Sequence, residues 1–202
     1  ERDWRWIDPA TPAATQAIVY SAEIRARLDQ RVLKIMRHSD ANAAAELGVI
    51  CLALAKGENA PNPIIFWKLS AGFLEALGKA LLPMDAYTRR AASRVLLQYA
   101  TLAGGDKSIS ERLALDLLFF CAQAEPRAGV TAPVLAAVRQ AWGLDGQRSV
   151  DYEQPTFGLY DPAVLAQARG RRLLSDEHFT VDGTLLEAWA GQKSFTRKDG
   201  TS

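Results

Sequence analysis

The chain has 202 residues, 49 % of them hydrophobic, with 24 basic and 23 acidic side chains and a formal net charge of +1. That composition excludes wholesale disorder and allows one ordinary domain with a sizeable core, or one domain and an appendage. The charge is too balanced for a dedicated nucleic-acid binder, which carries a basic excess. No apolar run approaches the roughly 20 residues that a membrane span needs, and "ERDWRWIDPATP" has no secretory pattern. A cytoplasmic location and no membrane partner are therefore expected. The chain begins with Glu1 rather than Met, so a piece of a longer protein is expected.

Helical punctuation runs along most of the sequence. Thr11-Pro12 offers a capping hydroxyl and a proline at a first helical position, and Ile24, Leu28, Val32, Ile35 and Met36 then recur at helical spacing. Asp40 caps a second helix through Leu47, Ile50, Cys51 and Leu54, closed by Gly57. Asn62-Pro63 opens a third, "IIFWKLSAGFLEALGKALL", stopped by Pro83, and its aromatics at helical spacing read as core. Asp85 opens a fourth, ended by Gly104-Gly105. "SISE", 108–111, reads as a capping box in which Ser108 and Glu111 satisfy each other's orphan amides ahead of "RLALDLLFFCAQA". Thr131 and Pro133 begin a sixth, ending at Gly143.

From residue 144 the texture changes. "LDGQRSVDYEQPTFGLY" reads as a long loop over the bundle, anchored by Tyr152, Phe157 and Tyr160, and Asp161-Pro162 starts a seventh helix. Beyond Gly170, "HFTVDG" reads as a strand and "TLLEAWAG" as a helix. The expected fold is all-α: a multi-helix bundle over 1–143, with 144–170 as its covering loop and last helix, and 171–202 as a short strand–helix appendage.

The chemistry-bearing residues are few. Cys51 and Cys121 sit in apolar helical patterns and read as buried thiols of a reducing compartment. Arg89, Arg90 and Arg94 share a helix and read as a solvated face. Trp4 and Trp6 need a surface to pack on, either the bundle or a neighbouring domain. No Gly-x-Ser-x-Gly elbow, H-E-x-x-H, phosphate loop or dinucleotide fingerprint is present, so no cofactor and no metal are expected.

Two stretches resemble known families. "FWKLSAGFLEAL" (66–77), "LLPMDAYTRRAASRVLLQ" (81–98), "SISERLALDLLFFCAQA" (108–124), "VRQAWGLDG" (138–146) and "DYEQPTFGLYDPAVLAQAR" (151–169) resemble the N-terminal region of the chemotaxis-type histidine kinases of type IV pilus control and twitching motility. The resemblance spans residues 60–169. It implies a phosphotransfer-like helical bundle with protein partners in a two-component or chemotaxis system. An active phosphotransfer helix in that family carries H-x-x-K-G. His38 is the one histidine of the bundle region, but Ala41 stands three residues on, so His38 is a weak phosphotransfer candidate and reads as a helix-end residue.

"LLSDEHFTVDGTLLEAWAGQKSFTRKDG" (173–200) is similar to the start of the catalytic domain of DDE-type insertion-sequence transposases. The resemblance implies that Asp182 matches the first of three carboxylates holding two divalent metals. Asp176, Glu177, Glu187 and Asp199 match no second catalytic position, so Asp182 reads as a relic. Lys193, Arg197 and Lys198 give the tail only weak, salt-sensitive attraction to DNA, and nucleic acid is not expected as a partner of this chain alone. The sequence therefore reads as a non-catalytic scaffold segment of a chemotaxis-like kinase, truncated and fused to a transposase remnant. The alternative is an incomplete transposase.

Overall fold

The computed structural model describes residues 5–14, 16–145 and 152. The chain divides into two compact units, Glu1–Val150 and Asp151–Ser202, and every helix described below belongs to the first. The helices are α1 (Ala22–His38), α2 (Ala41–Gly57), α3 (Pro61–Gly78), α4 (Ala86–Ala103), α5 (Glu111–Gln123) and α6 (Pro133–Trp142). No strand occurs among the described residues, and the all-α bundle expected from the sequence is what forms. The expected seventh helix, the anchors Phe157 and Tyr160, and the strand and helix after Gly170 lie outside the described residues.

α3 is the central helix. It packs against α2, α4, α5 and α6, while α1 packs on α2 and α4. Phe66, Trp67, Leu69, Phe73 and Leu74 are buried on several of its faces, as a helix surrounded by others requires. α2 lies close along it because small residues face each other: a Cβ on Gly78 would come within 2.9 Å of Ala45.

The capping chemistry decides most boundaries. Asp40 accepts from the Ala43 amide, and Asp85 accepts from the Tyr87 and Thr88 amides. Gly143 closes α6 in the left-handed conformation. α6 lacks a side-chain cap of its own; instead the Glu75 carboxylate of α3 accepts from the Leu135 amide at 2.8 Å.

α3 ends at Gly78 rather than running on to Pro83, and three further expectations need correction. First, no helix begins at Pro12. Residues 7–14 and 16–20 form a non-helical strap, and α1 starts only after Ser21, whose hydroxyl accepts from the Ile24 amide. "PAATQ" has no apolar stripe to bury, and the strap is instead tied to the bundle at single backbone groups. Lys68 binds the Asp8 carboxylate and the Pro9 carbonyl, Lys56 binds the Ala14 carbonyl, and the Ile18 amide donates to the Ala53 carbonyl.

Second, Ser110 rather than Ser108 caps α5, and Glu111 is its first residue. The buried Gln98 side chain sets this register: it donates to the Ser108 carbonyl and accepts from the Ser110 amide. Third, Met36 lies off the buried stripe of α1 and is 40 % exposed.

The strap depends on one close approach. A Cβ on Gly57 would fall 2.1 Å from the Ile18 carbonyl oxygen. Gly57→Ala is expected to push the strap off the end of α2 and lower stability by about 1–3 kcal/mol, the usual cost of overpacking. Trypsin cleavage at Arg25 or Lys56, with chemical denaturation in parallel, measures both effects. An unchanged digestion pattern and midpoint would refute the contact.

Candidate functional site

A dense polar constellation among the described residues joins elements far apart in sequence. Tyr20 ends the strap, Glu58 follows α2, Trp67 lies on α3, Tyr99 on α4, and Lys107 in the α4–α5 connection. The Trp67 indole donates to the Tyr20 hydroxyl at 2.9 Å, and that hydroxyl donates to Glu58 Oε2 at 2.9 Å. The Glu58 carboxylate also accepts from Lys107 Nζ and from the Asn59 and Ala60 amides. Lys107 lies 5.5 Å from the Tyr20 ring centroid. The Tyr99 hydroxyl accepts from the Ser21 amide and donates to the Ser21 carbonyl.

The electrostatics follow from burial and bonding. Burial pushes the Glu58 carboxyl up, but Lys107, the Asn59 amide, the Tyr20 hydroxyl and the Ala60 amide outweigh it and hold it below its ordinary value. Burial, together with Glu58, drives Tyr20 upward against the lowering effect of Trp67, so the phenol stays protonated. Each side-chain oxygen of the Glu58–Tyr20 pair has a hydrogen-bond partner, and the ionised carboxylate clamps the strap to the end of α2 and the α4–α5 connection. An open cleft beside it, lined by Tyr20, Ser21, Arg25, Tyr99, Ala103 and Gly104, runs between the start of α1 and the end of α4.

The residues singled out from the sequence are scattered. His38 is the last residue of α1 and is exposed. Of the three arginines, Arg89 donates to the Asp85 and Met36 carbonyls, Arg94 pairs with Asp116 at 3.1 Å, and Arg90 is exposed. The structure thus uses two of the supposedly solvated cations to tie helices together. Trp6 is half-buried, the Trp142 indole donates to the neighbouring Arg5 carbonyl, and Trp4 lies outside the described residues. Asp182, Asp176, Glu177, Glu187, Asp199, Lys193, Arg197 and Lys198 also lie outside them. Among the described residues no group of three or more His, Cys, Asp or Glu could hold a metal ion, and no helix is long and apolar enough to cross a membrane.

Cys51 and Cys121 are both fully buried and free. Burial pushes the Cys51 thiol far up, and pushes Cys121 up to about 12 against a smaller opposing effect of Arg139. Both are expected to resist a thiol reagent such as Ellman's at pH 8 in the native protein and to titrate fully after unfolding in guanidinium. Rapid titration of either thiol in the native state would contradict this placement.

The clamp's members gave no sequence signal, since Tyr20, Glu58 and Lys107 are separated by 38 and 49 residues and meet only in the fold. The fold also covers a family. Residues 13–155 match the FimL scaffold protein second domain. The chain belongs to this family. The FimL match begins within the strap, includes all six helices, and overlaps the stretch that resembles the pilus-type kinases up to residue 155. It does not reach the transposase-like segment 173–200. Neither the curated proteins nor the solved structures contain a match to this chain.

Proposed function

We propose that this domain is a non-catalytic protein-interaction scaffold in a type IV pilus, chemotaxis-like signalling system. The family match over residues 13–155 carries the reading, because it is to a scaffold protein's domain and falls on the stretch that resembles the pilus-type kinases. The site chemistry is consistent with it: the Glu58 carboxylate is taken up by hydrogen bonds within the fold, and His38 sits at a helix end without the lysine of a phosphotransfer motif. Its partners are then proteins of that system, bound in the cytoplasm.

The test is a pull-down of pilus-type response regulators by the full 202-residue chain, with a phosphotransfer assay from a cognate kinase alongside. Specific retention without label on the chain supports the scaffold reading. Label lost in His38→Gln would replace it with phosphotransfer.

Two finer readings accompany the proposal. The segment derives from a larger kinase-like protein, and residues 171–202 derive from a transposase; both rest on their sequence words. Under the second, Asp182→Ala leaves stability and response-regulator binding unchanged. Divalent-metal-dependent DNA cleavage lost in Asp182→Ala would instead establish the transposase alternative.

A further inference from the structure

We infer that the outer face of α1 is a docking seam for an acidic amphipathic helix of a partner protein. The inference rests on the scaffold reading and names the surface and the partner's chemistry. α1 uses Ile24, Leu28, Val32 and Ile35 for the core. Its opposite face presents Ala26, Gln30, Leu33 and Arg37, all exposed, at spacings of four, three and four. These four residues form one continuous stripe along the helix, with Leu33 as its one large apolar side chain. Leu33 is 48 % exposed, and Val49 on the adjoining α2 is 66 % exposed.

One edge of this seam is basic. Arg27, Arg31, Lys34 and His38 follow each other at helical spacing on the side facing α2. Three of the carboxylates nearby are already engaged, and Glu23, one turn before Arg27, is exposed at the N-terminal end of the seam. Glu46 of α2 pairs with Arg31 at 2.9 Å, Asp29 on the other edge pairs with Arg25, and Asp40 caps α2 through the Ala43 amide. Among the described residues no ion pair includes Arg27, Lys34 or Arg37. A partner helix with carboxylates one heptad apart would meet Arg27 and Lys34 together while placing apolar side chains on Leu33 and Ala26. Duplex DNA has no use for the protruding Leu33 and Val49, and the chain as a whole lacks a basic excess. A bilayer needs a broad apolar face, and that of α1 is buried in the bundle.

The experiment uses the full chain and a fluorescent helical peptide with Leu at heptad positions a and d and Glu at e and g, followed by anisotropy at low salt. The peptide is expected to bind, and Lys34→Glu/Arg37→Glu to weaken it about tenfold or more. Arg127→Glu, an exposed cation between α5 and α6, is expected to leave binding unchanged. No binding, or equal weakening by Arg127→Glu, overturns the seam, as does tighter binding to short duplex DNA or to phosphatidylserine vesicles than to the peptide. Circular dichroism confirms that the variants fold. If the peptide fails while the double variant still retains a response regulator like the wild type, the seam falls and the scaffold reading stands.

Discussion

Leu117→Asp is expected to leave the first unit unfolded at room temperature. Leu117 is completely buried on α5, which packs on α3, α4 and α6. Truncating such a leucine to alanine already costs about 2–5 kcal/mol. An aspartate adds a carboxylate that must be buried uncompensated or neutralised, a further penalty of several kcal/mol. Folded domains typically hold about 5–15 kcal/mol in total, so the sum reaches most or all of the reserve. Leu117→Met conserves volume and is expected to cost less than about 1.5 kcal/mol. Far-UV circular dichroism and thermal melting separate the two. A cooperative wild-type-like melt for Leu117→Asp would show that α5 is not part of the core.

Glu58→Leu is expected to lower stability by about 1–3 kcal/mol, the scale of half-buried donors deprived of a charged acceptor. The Glu58 side chain is only 5 % exposed, and its loss strands the Asn59 and Ala60 amides and the Tyr20 hydroxyl. Its partner Lys107 is 48 % exposed and returns to water when unpaired, so Lys107→Ala is expected to cost no more than about 1 kcal/mol. The unequal pair of losses is the signature: equal losses would mean that a simple ion pair, rather than the buried network, holds the strap. For a chain of this size each kcal/mol moves the melting temperature by about 2–4 °C. The pH dependence has a definite sign. Because Glu58 is held below its ordinary value of 4.5, it stabilises the fold above that pH, and the contribution disappears as pH falls through the lowered value. Glu58→Gln is expected to flatten the acid limb of the stability curve; an unaltered limb would assign acid lability to other carboxylates.

Local chemistry was strong enough to be read directly for most of the helices. Asp40, Asp85 and Pro133 carry their helix starts in their own side chains, and Gly57, Gly104 and Gly143 mark ends, so those boundaries needed no tertiary information. The buried thiols and the aromatic core of α3 were equally legible, because apolar periodicity states burial. By contrast, the start of α1 and of α5 were misplaced where a distant partner outbid the local signal. Gln98 moved the α5 cap from Ser108 to Ser110, and Lys68, Lys56 and Ala53 bind the backbone of Pro9, Ala14 and Ile18 where Thr11-Pro12 invited a helix.

By itself, then, the sequence determined an all-helical bundle, the identity of most of its core, and a kinship with pilus chemotaxis proteins. Hydrophobic periodicity and capping act over one or two turns and are written in adjacent residues. Only the tertiary structure decided that Tyr20, Glu58, Trp67 and Lys107 form one clamp, that Arg89 and Arg94 bind neighbouring helices, and that Arg31 turns to Glu46 of α2 while Lys34 stays exposed. Those outcomes depend on which helix faces meet across dozens of residues. Polar side chains carry no period that announces their partners, so they are settled only when the bundle closes.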